Sequence, residues 1–318
     1  MRERPAFVSD AEMLRAVADG WRAEVDAVAH LPVGFGAHHW VASQAGTPRL
    51  FVTLDRLGYR HTAHSLEAAY AGAAALAWLE FVVAPVAHRS GHFTAPLAGH
   101  AVSCTPWRDG VVAGTGPITA AELARANAAA LTRLHAARLD RPIPTWRPRV
   151  GPNLADTLAS QARTAWSAGP YGEPARAAIR RHLGAIRDWT KTYHQLAEQA
   201  RSRPWVPTHG EPHTANQLIT TVSGKGDDPL EPPHERQGAV FVDWETLAIA
   251  PRERDLRPLV DSGHADLVAP DWTMIEMFDL EWRLDEVAQY AAWFAAPHTG
   301  SEDDRIAFGG LLGELDRA

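Results

Sequence analysis

The local pattern of this chain changes character once, and that change limits what it can fold into. Before about residue 105 strand signals dominate. "HLPVGFGAHHWVASQAGTPRLFVTLDRLG" reads as β-rich segments broken by Gly-containing turns, and "FVVAPVA", "HFTAPLA" and "HAVSCTPW" read as short strands. Two helices are expected among them. A capping box at Ser9–Glu12 opens one that runs to about Val28, and "SLEAAYAGAAALAWLE" is apolar on most faces and so buried. Then "WRDGVVAGTGP" has the Gly and Pro density of a linker, which sets a hinge near residues 104–116. Beyond it a second capping box, Thr119–Glu122, precedes the long helix "AAELARANAAALTRLHAAR", and helical patterns recur at about 153–166, 174–200, 272–296 and 301–314. Three short strand signals, "WVPTH", "NQLITT" and "AVFVDW", interrupt them, the last two separated by the polar insert "VSGKGDDPLEPPHERQG", expected to be a mobile hairpin loop. The expectation is an α+β fold. A small β-rich N-lobe with one packed helix covers residues 1–105, and a larger, mainly helical C-lobe covers residues 106–318.

Composition removes several function classes. A net charge of −7 disfavours a nucleic-acid partner, since phosphate backbones are met by basic faces. The single cysteine, Cys104, rules out an internal disulfide and fits a reducing compartment, so a cytoplasmic location is expected. The most apolar run, "AYAGAAALAWLEFVVAPVA", is broken by Glu80 and Pro85 and reads as buried structure rather than a membrane span. No apolar core follows the early arginines, so a signal peptide is not expected. The basic residues are almost all arginine: the two lysines are Lys191 and Lys225, so nothing earlier supplies an ammonium group.

The chemistry is concentrated in "PTHGEPHTAN", Pro207 to Asn216. A zinc reading fails there. His209-Gly210-Glu211 supplies half of a deaminase signature, but the other half needs two cysteines, and Gly210 and Pro212 oppose the helix that an i,i+4 histidine pair requires. As a loop between strands, the stretch presents a carboxylate and a carboxamide five residues apart, and "VFVDW" brings Asp243 to the mouth of the same hairpin. Phosphoryl transfer needs that set: a carboxylate to orient the attacking hydroxyl and take its proton, and oxygen ligands to hold magnesium against the phosphate. Glu211, Asn216 and Asp243 fill those roles in that order.

"HGEPHTAN" followed by "VFVDWETLAIAPRERDL" resembles the motifs of the aminoglycoside phosphotransferase family, small-molecule kinases with a protein-kinase-like, two-lobed fold. "LTRLHAAR" extends the likeness loosely. The resemblance implies Glu211 as catalytic base, Asn216 and Asp243 as magnesium ligands, His209 as a brace for the loop and Asp255 as structural. His213 falls either near the transferred phosphate or in a backbone hydrogen bond. The chain departs from the family twice. Glu211 stands where the family has aspartate, so the base reaches one methylene further. No lysine exists in the small lobe, and Thr53 or a neighbour takes its strand position. Glu67 is then the nearest candidate for the lysine's glutamate partner, and Arg56, Arg60 or a small-lobe histidine is a possible substitute for the lysine itself.

On the nucleotide side, amides around Gly34 and Gly36 in "VGFGAHHW" are candidates to cradle phosphates, a plain hairpin turn being the other reading. Cys104 and Trp107 lie in the segment where the family's hinge meets adenine, with packing as the alternative for Trp107. On the substrate side, twelve Asp and Glu face three Arg from Asp266 onward. The resemblance makes Glu276, Asp279, Glu281, Asp285 and Glu286 candidates for a wall that binds a cationic antibiotic, with solvated helix faces as the alternative. Trp282 and Trp293 are read chiefly as packing. The function expected is an ATP- and Mg2+-dependent kinase for a hydroxyl of a small cationic molecule, an aminoglycoside or related resistance substrate. A metabolic amino-alcohol or sugar kinase and a kinase-like binding protein are the alternatives. Expected partners are the nucleotide and the small molecule, with no nucleic acid or membrane, in a monomer or homodimer.

Overall fold

A computed structural model describes residues 1–21, 24–34, 36–58, 60–224 and 234–317. Cα packing divides the chain into two compact units, Glu3–Trp146 with Pro204–Pro270, and Arg147–Arg203 with Asp271–Ala318. The division falls at other places than the lobe boundary near residue 105, because the catalytic-loop segment packs with the β-rich part of the chain.

In the first unit, helix α1 (Asp10–Gly20) starts at the Ser9/Glu12 capping box and stops at Gly20, well short of Val28. At Gly20 the backbone passes close to His88, since a Cβ there would meet that ring at 2.5 Å, and strand β1 (Ala27–Leu31) follows. β2 (His38–Gln44) and β3 (Thr47–Asp55) form a hairpin whose turn residues, Ala45 and Gly46, both have positive φ, the twist a two-residue hairpin favours. Helix α2 (Ala63–Ala75) follows, then β4 (Thr94–Leu97) and β5 (His100–Pro106). The sheet is antiparallel in the order β1-β2-β3-β5-β4. "FVVAPVA" forms no strand of this sheet; Val82 makes an isolated bridge to Phe241 instead.

Strand alternation sorts the two faces of this sheet. Leu50, Val52 and Leu54 of β3 join Val102 and Cys104 of β5 in a core with Met13 and Val17 of α1 and with Trp21 just past its end. Residues of opposite parity, Asp55, Ser103 and Ala101, belong to the α2 face, where Leu66, Tyr70 and Ala101 form a second cluster.

The expected linker contains a strand. β6 (Val111–Val112) pairs with β8 (Gln217–Gly224), which pairs with β9 (His234–Phe241). Residues 225–233 of the expected mobile insert lie outside the described residues. Helix α3 (Ala121–His135) begins at Ala120 with no side-chain cap, so the Thr119–Glu122 box does not form; the helix starts one residue later than that box needs. β7 (Val206–Thr208) pairs with β10 (Ala248–Ala250), and the short helix α4 (Arg257–Asp261) closes the unit. No helix among the described residues is long and apolar enough to cross a membrane.

The second unit is helical: α5 (Leu154–Gln161), α6 (Gly172–Ala200), α7 (Trp272–Ala295) and α8 (Glu302–Asp316), close to the positions their periodicity predicts. α6 packs on α7 and α8.

Candidate active site

The loop from His209 to Asn216 joins β7 to β8 and is fixed from beneath by buried polar groups. Asp255, fully buried, accepts hydrogen bonds from the backbone N–H of His209 (2.9 Å) and of Gly210 (2.6 Å) and pairs with His135 Nε2 at 3.0 Å. Burial alone would raise its carboxyl, but the bond and charge of His135 and the neighbouring His209 and Arg254 outweigh it and hold the pKa below the ordinary range. His209 is also fully buried. Its Nδ1 accepts from the Glu211 N–H at 3.3 Å, so Nε2 carries the proton and donates to the Val242 carbonyl at 2.9 Å. Burial holds this ring neutral, with its pKa lowered to about 4. Gly210, at φ +100°, cannot be replaced cheaply, since a Cβ there would lie 2.4 Å from the Arg254 guanidinium. His209 therefore braces the loop and is not presented to a substrate.

Upon this base the three expected site residues come together. Asn216 ends a single 3-10 turn, and its Nδ2 donates to the Glu211 carbonyl at 3.0 Å. Its own carbonyl accepts from the Val242 N–H at 3.0 Å, which ties it to the residue before Asp243. Asp243 has left-handed backbone, φ 68° and ψ 64°, an uncommon conformation that aspartate tolerates better than most residues. Its side chain is exposed. Even so, the surrounding protein strips much of its hydration and pushes its carboxyl well above the ordinary range, with Glu245 and then Glu211 adding like charge. The like-charge part of that shift holds whatever the degree of burial. The His213 ring is hydrogen-bonded to its own backbone and sits between burial, which lowers its pKa, and Glu211, which raises it; burial prevails.

Four further residues complete the site: Asp55 and Glu245, which the sequence reading missed, with Arg60, which it offered as a substitute for the missing lysine, and His61. Asp55, at the end of β3 and 3% exposed, receives a hydrogen bond from Tyr70 Oη of α2 at 3.1 Å. Burial and then the charge of Asp243 raise its pKa. Glu245, two residues past Asp243 and hydrogen-bonded to it, is raised by burial and by Asp55 and Glu211. Against these carboxylates stand two basic side chains from the segment before α2: Arg60 Nη2 is 3.7 Å from Glu211 Oε1, and His61 Nε2 is 3.5 Å from Glu245 Oε1. Alternation could have found Asp55, because it shares its face with Thr53, and the string "DWE" already held Glu245.

Other expected residues are placed differently. Cys104 is wholly buried in the core on the α1 side of the sheet, and its carbonyl accepts from the Val86 N–H at 2.8 Å, so it offers a nucleotide nothing. Trp107 Nε1 donates to Asp109 at 3.0 Å. Glu67 is neither a solvated helix residue nor a partner for a missing lysine: its carboxylate accepts from the N–H groups of Phe93 and Thr94 and from the Thr94 hydroxyl, and so anchors β4. Thr53 is buried against His39 Nδ1 at 3.3 Å. Gly34 and Gly36 both have positive φ; a Cβ at Gly34 would lie 2.8 Å from His39 Nε2, while Gly36 faces open space.

In the second unit, Glu281 and Asp285 are buried within 3.7 Å and 3.6 Å of Arg149, and Tyr193 donates to Glu281 at 2.9 Å. Asp279 pairs with Arg317 at 2.8 Å. These three acids are engaged internally rather than forming an open wall, and Trp282 and Trp293 are bonded to Glu314 and Asp304. Glu276 is exposed.

Comparison with known proteins identifies the family. The model of the phosphotransferase enzyme family matches residues 30–298. The chain therefore belongs to that family of phosphotransferases, and its fold is α+β and protein-kinase-like. Protein StrN of Streptomyces griseus is 30% identical over 142 residues, 43% of this chain but 39% of that protein, so the match spans about two-fifths of its length. The structure of a spectinomycin phosphotransferase with ADP and spectinomycin has a TM-score of 0.67 at 13% identity, over 96% of this chain and 94% of that one. A microcompartment-associated aminopropanol kinase has a TM-score of 0.58 at 15% identity, over 96% and 95%. At those identities the two structures show the shared fold.

Proposed function

We propose that the chain transfers the γ-phosphoryl group of ATP to a hydroxyl of a small molecule, with Glu211 as the base. The observation that carries this reading is the meeting of Glu211, Asn216 and Asp243 on one braced loop, beside two further carboxylates. Glu211 orients the acceptor hydroxyl and takes its proton as the oxygen attacks phosphorus. The donor set also suits Mg2+: Asp243, Glu245, Asp55 and the Asn216 amide oxygen are all hard oxygen ligands, and the mutual repulsion of the acids is what a cation relieves. Among the described residues no three acids or histidines are grouped so as to hold an ion by themselves. Asp243 and Asn216 would hold Mg2+, and it would offset phosphate charge.

For the acceptor, an aminoglycoside or related antibiotic is the first class to test. The acidic surplus after Asp266 supports a cationic molecule, and of the five candidate wall acids Glu276 is the one that is exposed. ADP release by purified protein across antibiotics and small amino-alcohols tests the reading. Glu211→Gln and Asp243→Asn should each lower turnover by about 100-fold or more. Full turnover in either variant would remove that residue from the mechanism.

A further inference from the structure

Glu211 and Pro212 lie between β7 and β8, outside any strand or helix, so no ladder fixes the backbone from which the base extends. The proline ring locks φ at residue 212 and steers the residue before it to extended backbone, so the two move nearly as one piece. Where that piece stands depends on what holds its carbonyls. Two consecutive carboxamides do so: Asn216 Nδ2 donates to the Glu211 carbonyl at 3.0 Å, and Gln217 Nε2 donates to the Pro212 carbonyl at 2.8 Å.

Gln217 is fully buried at the start of β8, and its Oε1 accepts from Asn127 Nδ2 of α3 at 2.9 Å. The direction of this relay is forced. A carbonyl only accepts, so Gln217 turns its nitrogen to Pro212 and its oxygen to Asn127, which must then present its own nitrogen. Asn127 is 2% exposed on a helix face otherwise made of Ala124, Ala128, Leu131 and Leu134. A buried amide in an apolar stripe is costly unless bonded, and Asn127 Oδ1 meets no partner among the described residues. Its donation to Gln217 is the interaction that offsets the cost. The same helix also supports the other side of the base. His135, eight residues on and so about 12 Å along the axis, pairs with Asp255, which accepts from the N–H groups of His209 and Gly210. Helix α3 therefore reaches the loop once before Glu211 and once after it.

We propose that Gln217, oriented by Asn127, is a positioning residue for the base: the relay from α3 sets the Glu211–Pro212 backbone and so the place of the Glu211 carboxylate. This rests on the phosphotransferase reading above. In the step served, the acceptor oxygen bonds to the γ-phosphorus and the bond from phosphorus to the β,γ-bridging oxygen breaks. Its electron pair leaves with ADP, and the hydroxyl proton passes to Glu211. A glutamate base magnifies backbone error, because its carboxylate stands one bond further from the chain than an aspartate's. Loss of the relay therefore lowers rate rather than nucleotide affinity, since Glu211 is not among the groups that would hold the cation.

The test uses full-length protein with MgATP and whichever antibiotic or small amino-alcohol gives the fastest ADP release, or water where none does. Gln217→Met should lower the maximal rate by about 10–100-fold and Asn127→Leu by less, with the KM for MgATP within about threefold of wild type. The double variant should match Gln217→Met in rate, because both changes act through one carbonyl. Its urea midpoint should nevertheless exceed that of Gln217→Met, since the methionine alone leaves the Asn127 amide without its acceptor and the double change does not. A rate that stays low while stability returns separates positioning of the base from support of the fold. Where Gln217→Met does not fold, the double variant is compared with wild type on the same measures. Either single variant within about threefold of the wild-type rate overturns the inference. So does a loss found in KM rather than in the maximal rate, a double variant in which the two losses multiply, or one in which rate returns with stability. A wild-type chain that releases no ADP with any acceptor or with water overturns the phosphotransferase reading, and this inference with it.

Discussion

At the scale of single residues, the site region depends on imidazoles kept neutral by burial. His39, 8% exposed on β2, has its pKa lowered to about 3, first by burial, then by the charge of the chain's amino terminus and by the neighbouring His38 and His30. His209 is lowered to about 4 for the same first reason. A histidine whose folded pKa lies below its unfolded value contributes its full stability above pH 6.5 and loses it as the pH falls toward the folded pKa. The folded chain should therefore weaken progressively from pH 6.5 to pH 4. Urea midpoints for wild type and His39→Met at pH 7.5 and pH 5 test this: the variant's disadvantage at pH 7.5 should shrink or reverse at pH 5, and parallel pH curves would refute it. The same scale explains what sequence reading found. Glu211, Asn216 and Asp243 were legible because their spacing is local and their residue types are restricted by the chemistry. Asp55 was harder to read, because its role depends on which sheet face is used. Cys104 was misread for the same reason, since strand parity turns it toward α1.

At the scale of elements, α2 is what brings the β-rich part of the chain to the catalytic loop. It packs on the 3-10 turn Trp244–Thr246, and it can do so closely because residue 72 has no side chain: a Cβ there would lie 2.5 Å from Ile143 Cγ2 and 2.7 Å from Leu247 Cδ2. Tyr70, one half-turn earlier, can then bond Asp55 while Arg60 and His61, just before the helix, meet Glu211 and Glu245. Gly72→Ala should overpack this seam, cost about 1–3 kcal/mol and displace the helix. Turnover should fall further than the stability loss accounts for, because Tyr70 and Arg60 move with the helix. A Gly72→Ala protein with normal urea midpoint and normal turnover would show that the approach is looser than drawn. Helix propensity and the buried pattern foretold α2; the packing reason for its glycine could not be read from "AYAGAAA", where small residues abound.

At the scale of the whole molecule, family membership and fold agree on a phosphotransferase, and its described site gathers the carboxylates of Asp55, Glu211, Asp243 and Glu245. Such a site carries a cost in the absence of ligand: Asp55 and Glu245 are raised to about 7 and about 8 by burial and by one another's neighbourhood. A carboxyl whose folded pKa is raised favours its neutral form, so its stability contribution is full below the unfolded value and is lost as pH climbs through the folded one. Near pH 6 these groups hold protons that an incoming cation must displace, whereas near pH 8.5 they are ionised, mutually repelled and open to it. Divalent cation should therefore stabilise the chain more at pH 8.5 than at pH 6, by an amount set by the ratio of its concentration to its dissociation constant. Thermal midpoints with and without MgCl2 at the two pH values measure this. Asp243→Asn should reduce the magnesium-dependent shift at pH 8.5, since it removes the most exposed of the four carboxylates. Equal shifts at both pH values, or a shift untouched by Asp243→Asn, would mean that magnesium binds somewhere other than among these carboxylates.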